Sequence, residues 1–356
     1  MGRDMKKKKK PYQKPKLKEY GAIKDHTKAV TVGTGMDGGV APSNRVMACV
    51  SLPPLIQEHQ WLLEDTHTQE QFRAAIFSKV KAGDVVLDLG TGTGLHALFA
   101  VQAGAKKVYA VDSEAIIRPA KMNALKNNCS DKIEFIETSS ELLELPEKVD
   151  LIITNVGFFN TLKYLPHVIV KHLKPHGKLI PEQFSLEFAP IEDADFYNTN
   201  ISCWDQKQFS MDFSSFKACA ITRPHYGSWN PQQLLGAPQK LGELDLLKNA
   251  AFSVAFQKAI RLERAGTVHG LLGWYTFHLT DKISFSTRPP LRPSSKIWNQ
   301  WFLPLAQPQS FEADESLNVE LKMHTSDRFP EPVWQWSVGQ SPKTSNFDSL
   351  AFVSPE

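Results

Sequence analysis

Three glycines, Gly90, Gly92 and Gly94, alternate with threonines in the stretch LDLGTGTGL, and Asp112 closes the next apolar run, KVYAVD. Glycines in such a turn take positive φ and let a ligand approach the backbone without Cβ atoms in the way. A dinucleotide site would show GxGxxG, with a pyrophosphate on the helix N-terminus. GxGxG followed by a carboxylate at the end of the second strand suits S-adenosylmethionine instead, a cofactor with no phosphate whose ribose diol needs an acceptor. A second stretch, VDLIITNVGFFNTLKY from Val149 to Tyr164, comes where chemistry on an acceptor would sit, yet no Asp or Glu occurs from Leu151 to Ile180. Asn155 can accept a hydrogen bond there but brings no charge.

The elements that must position these residues follow an alternation. Leu55, Trp61, Leu62, Phe72, Ile76 and Val80 fall in helix-like groupings with an acidic break between them, which predicts two short helices from Leu52 to Lys81. VVLDLG reads as a buried parallel strand, Gly94 to Gly104 as a helix, KVYAVD as a strand, Ile116 to Asn128 as a helix, and IEFIET and VDLIITNV as further strands. This order predicts a doubly wound α/β domain. After Pro181 the runs SLEFAPI, FSVAFQKAI, HGLLGWYTFHL, ISFST, WFLPL, LNVELKMH and VWQWSV are strand-like and separated by Pro, Gly and Asp, predicting a sandwich or barrel. The stretch from Trp204 to Leu247, rich in Pro and Gly, is too long for a hairpin connection and predicts an inserted arm. The expected organisation is a tail over 1–51, a Rossmann-like domain over 52–181 and a β-barrel domain over 182–356, with the arm at about 204–247.

The chain has 356 residues and a net charge of +3, and its basic excess lies in the tail, where Lys6 to Lys10 is unbroken and Lys14, Lys16 and Lys18 follow. A segment of Lys, Gly, Pro and Thr with little apolar periodicity predicts disorder. It reads either as an arm for RNA, an acidic partner or nuclear import, or as a solvated tail. Cys49, Cys129, Cys203 and Cys219 show no CxxC pair and no zinc spacing, so neither a disulfide framework nor a metal is signalled. No apolar run approaches the ~20 residues that cross a bilayer, and no h-region follows the N-terminal lysines. No membrane partner is expected, and the expected location is the cytoplasm, with the nucleus as the alternative. His167, His172 and His176 fit no common ligand pattern and read as surface residues on a basic helix. Trp334 and Trp336 alternate on a strand and read as barrel packing, with base stacking as the competing use.

The run VVLDLGTGTGLHALFAVQAGAKKVYAVD resembles the first motif region of the protein arginine N-methyltransferase family. ELLELPEKVDLIIT resembles the family's next strand, LKPHGKLIP its closing loop, and QFSLEFAPIED the start of its β-barrel domain. WDQKQFSMDFS with HYGSWNPQQLL resembles the dimerisation arm, and HGLLGWYTFHL with ISFSTRPP resembles later barrel strands. The likeness runs from about His59 to about Val338. It implies head-to-tail dimers and a cofactor site in which Gly90, Gly92 and Gly94 shape the loop, Asp112 meets the ribose and Glu141 reads the adenine amine.

The same likeness marks departures. A guanidinium stays protonated, with a pKa above ~12, and becomes nucleophilic toward a methyl sulfonium only when carboxylates orient it and localise its charge. The family supplies two glutamates on one hairpin. Laying LIITNVGFFNTLKY on that hairpin puts Asn155 at the first and Tyr164 near the second. SSKIWNQWF puts Ile297 at an active-site histidine and Trp298 at the family's tryptophan. In HQWLLEDTHTQEQFRAAI, His59 is kept but Thr68 replaces the arginine that pairs with the cofactor's carboxylate, leaving Arg73 as a candidate substitute. The resemblance thus implies a catalytically degenerate member, with vestigial or weak S-adenosylmethionine binding. It is similar to the non-catalytic prozyme subunit of trypanosomatid type I arginine methyltransferase, which pairs with a catalytic paralogue. Two alternatives stand beside this. One is an active methyltransferase on another acceptor, with Asn155 opening a partial Asn-Pro-Pro-aromatic motif. The other is an RNA-binding accessory protein using Lys6 to Lys18.

Overall fold

The computed structural model describes residues 52–248, 253–291, 296–325, 332–339 and 344–345. The basic tail over 1–51, with Cys49, lies outside the described residues. Two helices open the described chain, α1 (Leu52–Glu64) and α2 (Thr66–Lys79). The acidic break between them is a cap: Asp65 accepts the Thr68 N–H at 3.4 Å and the Thr68 hydroxyl at 2.8 Å.

The chain then alternates through β1 (Val85–Leu89), α3 (Leu95–Gln102), β2 (Lys107–Asp112), α4 (Ile117–Lys126), β3 (Ile133–Glu137), β4 (Val149–Thr154), α5 (Phe158–His172) and β5 (Leu173–Ile180). The strands form a parallel sheet in the order β3-β2-β1-β4-β5. The chain leaves β1 toward β2 and β3 and returns on the other side as β4 and β5, so the order reverses between β1 and β4. A crevice opens at the carboxyl ends of the strands beside such a switch point.

Two expectations fail in this sheet. The stretch after Asn155 is not a hairpin, because Gly157 (φ 81) turns the chain into helix α5, which carries Tyr164. Its first residue, Phe158, is held by an edge-on contact with Phe184 at 4.9 Å and a stacked contact with Tyr275 at 5.3 Å. LKPHGKLI is not a closing loop but strand β5. It lies at the sheet edge, where Pro175 and Gly177 are tolerated because one side of the strand needs no ladder partner. The histidine reading fails too: His172 is buried, with Nε2 3.1 Å from the Leu143 carbonyl, and exposed His176 sits on β5 rather than on the helix.

Beyond Pro181 the elements are β6 (Gln183–Ile191), α6 (Ala194–Asn200), α7 (Ser215–Ile221), β7 (His225–Gly227), β8 (Gln239–Asp245), β9 (Ser253–Arg261), β10 (Gly266–His278), β11 (Ser284–Ser286), β12 (Gln300–Phe311), β13 (Ser316–His324), β14 (Val333–Val338) and β15 (Thr344–Ser345). One antiparallel sheet runs β7-β12-β10-β6-β8, with β11 on β10, and a second runs β15-β14-β13-β9. The fold is therefore a Rossmann-like parallel domain followed by an antiparallel β domain of the barrel type. Strands β7 and β8 pair with β12 and β6, so these two strands of the stretch read as an arm belong to the barrel sheet, and α7 is its helical part. Trp334 and Trp336 are both buried, and the Trp336 indole N–H donates to the Pro304 carbonyl at 2.7 Å, which is core packing. Among the described residues Cys129, Cys203 and Cys219 are free thiols.

Candidate functional site

A cleft of about 690 Å³ opens at the carboxyl ends of β1, β2 and β4. Gly90, Asp112, Glu114 and Glu141 line it from the ends of β1, β2 and β3, with His59 and Glu58 of α1, while Asn155 and Tyr164 come from beyond β4, on the other side of β1, and Lys296, Ile297 and Trp298 from the segment before β12. Sequence reasoning placed Gly90, Asp112 and Glu141 at one site and Asn155, Tyr164 and Ile297 at another; the structure brings all six onto one cavity.

The wall at β2 and β3 is organised by backbone donors. Asp112 accepts the Gly92 N–H on Oδ2 at 2.8 Å and the Glu114 N–H on Oδ1 at 3.0 Å, which fixes the carboxylate at the strand end and leaves further lone pairs for a ligand. Gly92 and Gly94 do not line the cavity but shape it: Gly92 supplies that N–H, and Gly94 precedes α3 at φ 84. Burial raises Glu141, but its backbone and Ser139 and Ser140 hydrogen bonds with nearby Lys163 outweigh that and hold the carboxyl low. Glu114 is pushed up by burial and by the charges of Asp112 and Glu58. His59 is lowered by burial, which outweighs Asp112 and Glu58, and its ring lies over the loop: a Cβ on Gly92 would come 2.6 Å from Cε1.

Two titrating groups beneath the loop escaped the sequence reading. Burial raises Asp88 to about 7, while the Thr91 hydroxyl donates to its Oδ2 at 2.6 Å. Burial lowers His96 to about 4, with its Nε2 2.9 Å from Gln69 Oε1. A carboxylate inside the apolar run VVLDL was the available signal for the first; nothing local marked the second.

The remaining wall is neutral or basic. Asn155 Oδ1 and Trp298 Nε1 are buried and have no hydrogen-bond partner among the described residues. Lys296 is the cation there and pairs with Glu64 at 2.9 Å. Asp150, the last acid before this segment, serves the other end of β4, where it accepts the Val85 N–H at 2.9 Å and pairs with Lys174 at 2.8 Å.

Thr68 does not face the cleft. It is buried, its hydroxyl is spent on Asp65, and it borders a separate cavity of about 280 Å³ with Phe285, Arg288 and Trp298. Arg73 is no substitute cation, since it pairs with Glu70 at 3.5 Å and lies against Phe77 and Phe99 away from the cleft. Among the described residues no group of three or more His, Cys, Asp or Glu side chains is placed to hold a metal ion.

Residues 67–182 match the family model for ribosomal protein L11 methyltransferase, and residues 183–332 match that for the arginine methyltransferase oligomerisation subdomain. The probable protein arginine N-methyltransferase 1.2 of Arabidopsis thaliana is 30% identical over 288 residues, covering 77% of this chain and 78% of that protein. The chain belongs to the protein arginine N-methyltransferase family. Protein arginine N-methyltransferase 1 of Schizosaccharomyces pombe is similar at 31% identity over 246 residues, 65% of this chain and 72% of that one. The fold is shared with a chain of the Trypanosoma brucei PRMT1 enzyme–prozyme heterotetrameric complex with AdoHcy, at a TM-score of 0.72 and 24% identity over 81% of this chain and 96% of that chain.

For an arginine methyltransferase fold the group expected in the cleft is S-adenosylmethionine, and its two halves fare differently here. Asp112 and Glu141 offer acceptors of the kind that a ribose diol and an exocyclic amine need. Val156 packs directly on Gly90, where a side chain would clash with it, so this glycine is needed for the close approach of the turn after β4. Lys296, the lysine of the cavity wall, is already paired with Glu64. Among the described lining residues there are acceptors for the nucleoside, and the one lysine that could meet the cofactor's carboxylate is shared with Glu64.

Proposed function

We propose that this chain is a non-catalytic subunit of a protein arginine methyltransferase assembly, stabilising and activating a catalytic paralogue through the oligomerisation subdomain. The observation that carries this is the acceptor end of the cleft, where Asn155, Tyr164, Ile297 and Lys296 stand and every lining carboxylate lies at the other end or on α1. A guanidinium entering there would leave water, meet a lysine already paired with Glu64 and find no unpaired carboxylate among the described residues that line that end, a placement that costs several kcal/mol. The arm supports a pairing role, since Phe209, Met211 and Phe216 are exposed and Phe216 stacks on Trp204 at 5.1 Å. The subunit acts by differential binding: it favours the competent state of its partner and shifts that equilibrium by as much as the difference in affinity. We take 52–181 and 182–356 as its domains, the cytoplasm as its location, and Lys6 to Lys18 as a contact for RNA or an acidic partner.

The test is methyl transfer to arginine peptides by the purified chain, by a paralogue co-purified from the native source, and by the two mixed. The expected result is no transfer by the chain alone and a higher rate for the mixture than for the paralogue. A stable homodimer that methylates arginine unaided would refute the proposal. A second reading, methyl transfer to a neutral acceptor, draws on the partnerless Asn155 Oδ1 and Trp298 Nε1, which would suit a ligand with one donor and one acceptor. Tight binding of S-adenosylmethionine in calorimetry would favour it.

A further inference from the structure

The cavity of about 280 Å³ that Thr68 borders is walled by α2, β11, the segment that follows β11, and Trp298. Trp298 is the residue it shares with the cleft. Phe285, Pro289, Pro290, Leu291 and the Trp298 ring make most of its wall apolar. The ring is held in place from two sides, by Phe277 at 5.3 Å and Phe285 at 5.2 Å between centroids.

Two donors on this cavity have no acceptor among the described residues. Trp298 is only 5% exposed, and its Nε1 is without a hydrogen-bond partner, a cost that an occupant can remove. The Arg288 guanidinium is exposed, lies over the Trp274 ring at 5.9 Å and makes no ion pair or hydrogen bond with the described residues. The hydroxyls are committed elsewhere, Thr68 to Asp65 at 2.8 Å and Ser286 to Thr276 at 2.9 Å, and no described lining residue is an acid. What fits is therefore an acceptor with one negative charge and an apolar body. Phosphate brings more oxygens than these two donors can meet and no apolar surface, whereas a carboxylate presents two oxygens of the geometry a guanidinium takes. Size agrees: an apolar cavity of about 150 Å³ takes benzene, so this one has room for one ring with a carboxylate on a short stem.

We propose that this cavity binds a small monocarboxylic acid with an apolar body, of arylacetate size, whose carboxylate accepts from Arg288 and from the Trp298 indole N–H. The site goes beyond the subunit reading and does not rest on it. Binding has a structural consequence. The acid joins the segment before β12, through Trp298, to the segment after β11 and to α2, and it stabilises the arrangement of these three that it prefers. Trp298 is thereby fixed where it also lines the cleft.

Calorimetric titration of the full chain with phenylacetate, phenylacetamide and inorganic phosphate tests this. Phenylacetate is expected to bind at least about tenfold more tightly than either of the others. Arg288→Gln is expected to lower phenylacetate affinity about tenfold, to the level of the amide, because only the acid uses the charge. Trp298→Phe keeps a ring and removes the N–H, and is expected to weaken acid and amide alike. Should that variant melt below the assay temperature, Arg288→Gln decides the matter, since its side chain is exposed and its loss leaves the core untouched. The proposal is overturned by no phenylacetate binding at millimolar concentration, by equal binding of the amide or phosphate, or by an Arg288→Gln variant that binds the acid as the parent does. Competitive displacement of phenylacetate by S-adenosylhomocysteine would place the acid in the cleft and overturns it too. Methyl transfer by the chain alone would defeat the subunit proposal and leave this site standing.

Discussion

The two ends of the cleft share one scaffold and differ in what their side chains can do. At the β2 end Asp112 is clamped by the Gly92 and Glu114 N–H groups and Glu141 is held ionised, so charge is available where a nucleoside would donate. At the β4 end the backbone is just as firmly placed, with Phe158 buried against Phe184 and Tyr275, but residues 155, 164 and 297 are Asn, Tyr and Ile. Placement there comes from aromatic packing two and three residues away from the cleft-facing positions. Chemistry comes only from the side-chain ends. A segment can therefore be firmly placed while its cleft-facing side chains carry no charge.

The largest expected effect tests the shared scaffold. Phe158→Ala should lower unfolding free energy by about 3–5 kcal/mol, read by urea denaturation, because it removes a buried aromatic packed on two others. A loss under about 1 kcal/mol would mean that the acceptor segment is not pinned to the barrel. Next, Asp112→Ala should weaken adenosine binding roughly tenfold to a hundredfold in calorimetry, the cost of losing hydrogen bonds to a charged acceptor. Unchanged affinity would remove the asymmetry between the ends.

A pH effect follows in size. Burial raises Asp88 to about 7, whereas a carboxyl in the unfolded chain titrates near 4. Between those values the folded state keeps a proton that the unfolded state has released, so stability falls as pH rises from about 4 and the whole penalty is present above about 7. Asp88→Asn removes that titration and should gain on the parent protein between pH 5 and pH 8 by on the order of 2 kcal/mol. His96, lowered to about 4, works in the opposite direction, adding stability as pH rises through the interval up to its usual range, and cancels in the difference because both proteins carry it. A pH-independent difference in melting temperature would contradict the buried-acid account. The smallest effect belongs to Asn155→Glu, which should leave adenosine affinity within about threefold and produce no arginine methylation, since Tyr164 and Ile297 still supply no charge.

Much of the scaffold was legible because its signals are local. Apolar runs ending at Gly90 and Asp112 announced parallel strands, and each strand-like run named after Pro181 is a strand. The failures have physical causes. The family likeness put a hairpin after Asn155, yet Gly157 redirects the chain into α5, where the Asn160 amide donates back to the Val156 carbonyl at 3.1 Å. The family likeness made LKPHGKLIP a closing loop, whereas the stretch is a strand whose Pro175 and Gly177 are tolerated at the sheet edge. His172 read as a surface residue, and in the structure it is buried with its Nε2 3.1 Å from a carbonyl of the loop after β3.

By itself the sequence determined the kinds of chemistry that could be present: acceptors at Asp112 and Glu141, and no carboxylate from Leu151 to Ile180 for a guanidinium to meet. Those are facts of composition at positions, and folding cannot add a charge that the chain lacks. Only the tertiary structure decided that Val156 lies beside Gly90, that His59 covers Gly92, that Thr68 is buried and bonded to the capping Asp65, and that Asn155 and Ile297 line one cleft. Apart from the Thr68–Asp65 bond, each of these joins segments distant in the chain, and their contact is set by packing across the whole sheet and barrel, for which no local pattern of residues carries a sign.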